Sequence, residues 1–104
     1  MDNSKALRDI AAERRRQIEV ERWTHEHDDG HDHGELSRAA VAYAAFAAAH
    51  ESSHPGIVRT LHDVAYLTWP WGDSWFKPKD ARSNLIRAAA LIVAEIERLD
   101  RQEG

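Results

Sequence analysis

The sequence contains no cysteine, and that one absence excludes disulfides, thiolate zinc sites and cysteine nucleophiles together. Glycine and proline are scarce, at 5 and 3 of 104 residues. Nothing matches a P-loop, a G-x-G-x-x-G turn or a Gly-x-Ser-x-Gly elbow, so the usual phosphate cradles and serine-hydrolase signature are missing. No apolar run approaches the roughly 20 residues of a membrane span, and Met1 to Arg16 is charged where a signal peptide is apolar. A cytoplasmic protein without a membrane partner is the expectation. Net charge is −4, and the one basic run, Arg14 to Arg16, is interleaved with Glu13, Glu19 and Glu21. This excludes a general nucleic-acid binder, which needs a clustered cationic surface.

Bulky apolar residues are also in short supply. Apolar residues make up 42% of the chain, but 17 of them are alanine. At this length one domain, residues 1–104, is expected, with a core that is thin or shared between copies. A homo-oligomer follows as an expectation.

No strand pattern is present, and the periodicity predicts an all-α fold, a small three- to four-helix bundle. A first helix runs from Ser4 to about Trp23, with Asn3 or Ser4 as N-cap. Its stripe Leu7, Ile10, Arg14 and Ile18 is broken by arginine, which places it on the rim. Thr24 to Gly34 reads as a polar loop. A second helix opens with Asp32 as cap and Glu35 three residues on, and continues through Leu36, Ala40, Tyr43 and Ala47. After the break at Glu51 to Gly56, Ile57, Leu61, Val64 and Thr68 recur at helical spacing behind Pro55. Pro70, Gly72 and Pro78 make Trp69 to Lys79 an ordered Trp/Pro-rich loop before the last helix. Asp80 caps that helix, whose stripe Leu85, Ala88, Ala89, Ile92, Ile96 and Leu99 is expected to face inward, with Glu95, Glu97, Arg98 and Arg101 outward.

Two segments carry candidate chemistry. Between His25 and Glu35, nine of eleven residues are His, Asp or Glu. Imidazole with carboxylate suits one divalent ion, Zn²⁺ or Mn²⁺, and a carboxylate subset suits Mg²⁺. The ligands singled out are His27, Asp28, His31 and Glu35, with Asp29 as a supporting or bridging group. A solvated acidic loop and a protein-contact surface are the competing readings, and Asp32 and Glu35 serve equally well as caps.

The second segment, Trp69-Pro70-Trp71 and Trp75-Phe76-Lys77-Pro78, holds three of the four tryptophans in ten residues. Buried, such rings supply bulk that alanine helices lack. Exposed, Trp69, Trp71 and Trp75 stack on a nucleobase while Lys77 and Arg82, with Lys79, hold a phosphate. A hot spot for a partner protein uses the same rings. His50, His54 and His62 read as surface residues.

Glu97-x-x-Asp100 with the acidic segment before the second helix echoes the all-α nucleoside triphosphate pyrophosphohydrolases similar to MazG. Those enzymes hold Mg²⁺ with E-x-x-E in one helix and E-x-x-D in the next, where the second helix here is alanine. The chain more closely resembles a family of small proteins carried by bacteriophages and prophages. The resemblance rests on Glu13 to Gln17, on Trp23 with Glu26-His27-Asp28-Asp29, and on Gly34-Glu35-Leu36. It continues through Trp69-Pro70-Trp71, Trp75 with Lys77-Pro78-Lys79-Asp80, and Ala88 to Arg101, roughly two-thirds of the chain in all. Ala44 to Tyr66 matches least, and Asn84 stands where that family more often carries an acid. The resemblance implies a phage setting and no particular activity.

Three functions remain from this reading. One is a small phage-type binding protein that holds a nucleotide or a host protein without turnover. Another is a metal-dependent all-α nucleotide phosphohydrolase, and the third is an assembly component.

Overall fold

The computed structural model describes residues 4–103, all helix and connecting segments with no strand among them. The sequence predicts an all-α bundle, and the fold is one. Its order is α1 (Lys5–Glu19), α2 (His25–Asp29), α3 (Glu35–Glu51), α4 (Pro55–Thr68), a 3₁₀ turn (Asp73–Trp75) and α5 (Ala81–Glu103). No helix among the described residues is long and apolar enough to cross a membrane.

Helices α1, α4 and α5 each start on a local signal. Ser4 Oγ accepts from the Leu7 amide at the head of α1, while Asn3 lies outside the described residues. Pro55 opens α4, where its missing N–H costs nothing, and His54 Nδ1 accepts from the Ile57 amide. Asp80 caps α5, one carboxylate oxygen accepting from the Ser83 amide and the other from its hydroxyl.

These bonds, the Ser83 hydroxyl foremost, hold the Asp80 carboxyl below its ordinary value of 3.8. A carboxyl depressed in the folded state contributes stability above its unfolded pKa and loses it as pH falls through the folded one. Thermal melts between about pH 5 and 2 are therefore expected to fall less steeply for Asp80→Asn than for the wild type. Equal slopes would remove the cap from the acid response.

Two N-terminal expectations are corrected. Thr24 to Gly34 is not all loop, because Thr24 Oγ1 accepts from the His27 amide and starts the single turn of α2. Glu26 and Asp28 in that turn suit the positive end of a helix. Nor does Asp32 cap α3. Gly34 is the cap residue, with φ at +81°, and this left-handed bend carries Asp32 out of reach of the first turn. Asp32 pairs instead with His33, and Glu35 accepts from the His33 amide.

Helix α3 is central, packed against α5 on one side and α4 on the other, while α1 and α2 lie against α5. The core is alanine on alanine: Ala39, Ala40, Ala42 and Ala45 of α3 cluster with Ala65, Ala88 and Ala94, filled out by Leu36, Leu91, Tyr43, Trp69 and Phe76. Small side chains let helix axes approach closely, and close approach selects which face of α5 turns inward.

That face is not the expected one. Asn84, Ala88, Leu91, Ala94 and Arg98 are buried, whereas Leu85, Ile92, Ile96 and Leu99 are exposed. The bulky stripe would hold α5 away from α3, and the alanine face does not. Arg98, expected outside, is buried in a two-point ion pair with Glu95.

Candidate functional site

The tryptophan segment and the histidine segment meet. Their junction is a cleft of about 620 Å³ walled by α1, α2, the Trp/Pro loop and α5. That volume lies in the range of small-ligand sites.

The floor is aromatic. Tyr43 on α3 sits edge-on to Trp69, with ring centroids 5.6 Å apart. Trp69 is buried, its indole N–H donates to the Gly72 carbonyl, and it meets Trp71 edge-on at 5.2 Å. The Tyr43 hydroxyl accepts from the Lys77 amide, fixing the far side of the loop to α3. Asn84 holds the loop's end, its carboxamide accepting from the Lys79 amide and donating to the Lys79 carbonyl.

Trp71 then reaches toward the N-terminal segment. It stands 5.3 Å from His31, edge-on, and 6.0 Å from Trp23. Trp23 lies parallel to His27, and His27 meets His31 edge-on at 4.7 Å. Trp75, 70% exposed, forms part of the rim. The four tryptophans thus divide into a buried anchor, Trp69, two wall rings, Trp23 and Trp71, and an outer ring, Trp75.

Charge enters from α1 and α5. Arg16 is held by Glu13 through two bonds of 2.8 Å and by Glu21 through a third. The Glu13 bonds, ahead of Glu21, raise its pKa beyond that of an ordinary arginine, so it stays cationic. Arg87 donates to the Lys77 carbonyl and lies over the Tyr43 ring. Lys77 also lines the cleft, and its side chain makes no ion pair among the described residues. A second hollow, of about 420 Å³ and lined by Asp9, Lys79 and Ser83 among others, shares Glu13, Arg16 and Arg87 with the first.

Of the residues singled out for a ligand, Trp69, Trp71, Trp75 and Lys77 line this cleft, and Arg82 does not. Arg82 lies outside it, in an ion pair with Asp9 at 2.9 Å. Of those singled out for a metal, His27 and His31 line the cleft, their Nε2 atoms 3.4 Å apart. Asp28 is fully buried beneath, bound to Arg14 at 2.9 Å. Asp29 is held by Arg101 of α5 at 2.7 Å. Glu35 has one oxygen on the His33 amide and the other 3.5 Å from His31 Nδ1. Among the described residues no group of three or more His, Cys, Asp or Glu side chains is placed to hold a metal.

Sequence reasoning missed Glu13, Arg16, Gln17, Glu21, Trp23, Tyr43 and Arg87 as lining residues. A signal was available for the first three, since positions 13, 16 and 17 share one helix face at i, i+3 and i+4. Gln17 was visible only as a polar residue; the structure makes it 1% exposed, with its side-chain oxygen unpartnered. Comparison of the chain with family models, curated proteins and solved structures matches nothing.

Proposed function

We propose that this chain is a binding protein for a nucleotide or a closely similar ligand, a planar aromatic ring carrying an anion, held in the cleft without turnover. One observation carries the reading: Trp71 and Trp23 share a single nucleotide-sized cleft with Arg16, Lys77 and Arg87. Indole faces stack on any base, and each such contact is worth about 1–3 kcal/mol. Lys77 and Arg87, with Arg16 beside its partners Glu13 and Glu21, supply the complement to phosphate, and the second hollow continues past the shared Arg16 and Arg87. The resemblance to phage and prophage proteins supports a setting in a host cytoplasm, where such a ligand is sequestered.

A second reading has its own observation. Two nitrogens bound to Zn²⁺ at about 2.0–2.1 Å in tetrahedral geometry stand about 3.3–3.4 Å apart, and the Nε2 atoms of His27 and His31 have that spacing. Each ring has its other nitrogen, Nδ1, 3.5 Å from a carboxylate oxygen, of Asp28 or Glu35, longer than a hydrogen bond but on the side where the groups that orient metal-bound imidazole stand. This supports a divalent ion completed by water or by ligand phosphate, and hence a metal-dependent phosphohydrolase.

Titration calorimetry of tag-free protein with nucleoside mono-, di- and triphosphates, in Mn²⁺, Zn²⁺ or EDTA, separates the two. The first reading expects binding in EDTA, unchanged nucleotide on recovery, and about fivefold weaker triphosphate binding in Lys77→Ala, the size of a single screened phosphate contact. Binding only with metal, with release of phosphate or pyrophosphate, establishes the second. No heat with any nucleotide under any condition removes both.

A further inference from the structure

The face of α5 turned away from α3 carries Leu85, Ile92, Ile96 and Leu99, exposed by 53, 48, 52 and 45%. With Ala89 they form one stripe along the longest helix of the fold, 23 residues. Leu85, Ile92 and Leu99 repeat at seven residues, as do Ala89 and Ile96, which is the spacing of a helix-pairing seam. An exposed aliphatic side chain by itself needs no explanation, but a continuous stripe of four on the side opposite the core does.

The charges beside the stripe name its occupant. Arg82 and Asp100 are eighteen residues apart, five turns of helix, so they lie in line along the same edge. Asp100 makes no ion pair among the described residues, and Arg82 reaches only Asp9 on one side. A helix reversed about a dyad near Ile92 sets each Arg82 opposite the Asp100 of the other copy, twice by symmetry. It also opposes the two helix dipoles. A parallel pair instead sets this edge of one copy on the opposite side of the seam from the same edge of the other, where Arg82 and Asp100 do not meet.

We infer that α5 is the seam of a homodimer, in which Leu85, Ile92, Ile96 and Leu99 pack antiparallel against the same residues of a second copy. Such an interface is isologous and closed. It supplies the bulk that the alanine core lacks, and it leaves the ligand cleft, on the opposite face of α5, open in both copies.

Sedimentation equilibrium of the full chain tests this. The expected mass is that of two 11.8 kDa chains. Ile92→Glu is expected to give single chains with an unchanged helical circular dichroism spectrum. Should that variant fail to fold, the surface change Asp100→Arg still decides, weakening the dimer about tenfold, with Arg82→Asp added to restore it.

The native chain has no cysteine, so single cysteines report the direction of pairing. Ile92→Cys, beside the dyad, is expected to cross-link on oxidation. Leu99→Cys is not, since its two copies stand about 21 Å apart. A single-chain mass at all concentrations up to about 0.5 mM would overturn the inference, as would equal cross-linking at 92 and 99, or a stripe covered only by a different protein.

Discussion

Asp28→Ala is expected to lower the unfolding free energy by about 3–5 kcal/mol, the cost of leaving a buried charge without its partner. Asp28 is fully buried, and its Oδ2 accepts from Arg14 Nη2 at 2.9 Å. Arg14 keeps one other ion pair, Nε to Glu97 Oε1 at 3.1 Å, but Glu97 is partly solvated and screens poorly for a guanidinium that is itself 6% exposed. The cluster is already short of partners, since Arg14 Nη1, Asp28 Oδ1 and Gln17 Oε1 are buried with none. Removing Asp28 therefore adds to a deficit.

Asp28→Asn is expected to cost nearly as much, because shape is kept and charge is not. Arg14→Met with Asp28→Leu is expected to recover most of the loss, as apolar replacement of a whole buried pair generally does. Urea unfolding followed by circular dichroism gives the values for these three variants and the wild type. A loss below about 1 kcal/mol for Asp28→Ala would show that water or movement of α2 already solvates Arg14.

The same pair shows how the fold uses part of the acidic segment. Nine possible donors in eleven residues describe chemistry available to the chain, not chemistry left free by it. Arg14, fourteen residues upstream, takes Asp28; Arg101, seventy-two downstream, takes Asp29. Neither pairing has any local sequence signal. What was legible was local: the Asp80 cap and Pro55 at the start of α4 are fixed by residues within a few positions of one another.

The setting of α5 was not legible, for a related reason. Its period is helical on either face, and the larger stripe looked like the core because burial scales with size. Helix approach selected the opposite face, since Ala88 and Ala94 let α5 come close to the alanines of α3 and isoleucine would not. The cleft inherits this rotation. It places Arg87 and Leu91 along the cleft wall and leaves the aliphatic stripe outside.

Two neighbouring tryptophans are expected to fail in different ways when cut to alanine. Trp69 is 6% exposed and is packed by Tyr43, Trp71 and Phe76, so Trp69→Ala opens a ring-sized void in a core with little else large to fill it. A loss of about 3–5 kcal/mol follows, and with it the Gly72 bond that shapes the loop. Trp71 is only partly buried, and its three aromatic neighbours, Trp23, His31 and Trp69, each keep another ring contact without it. Trp71→Ala is expected to cost about 1–2 kcal/mol in stability, less than full burial would imply, but to weaken nucleotide binding tenfold or more, about 1–3 kcal/mol for one lost base stack.

Trp71→Phe separates the roles further, because a smaller ring still stacks and should restore most of the affinity while restoring less of the packing. Denaturation and calorimetry on the same three variants give the comparison. If Trp71→Ala binds as the wild type does while Trp69→Ala merely unfolds, the tryptophan segment serves the core alone. The cleft between Trp71 and His31 would then be packing space and not a site.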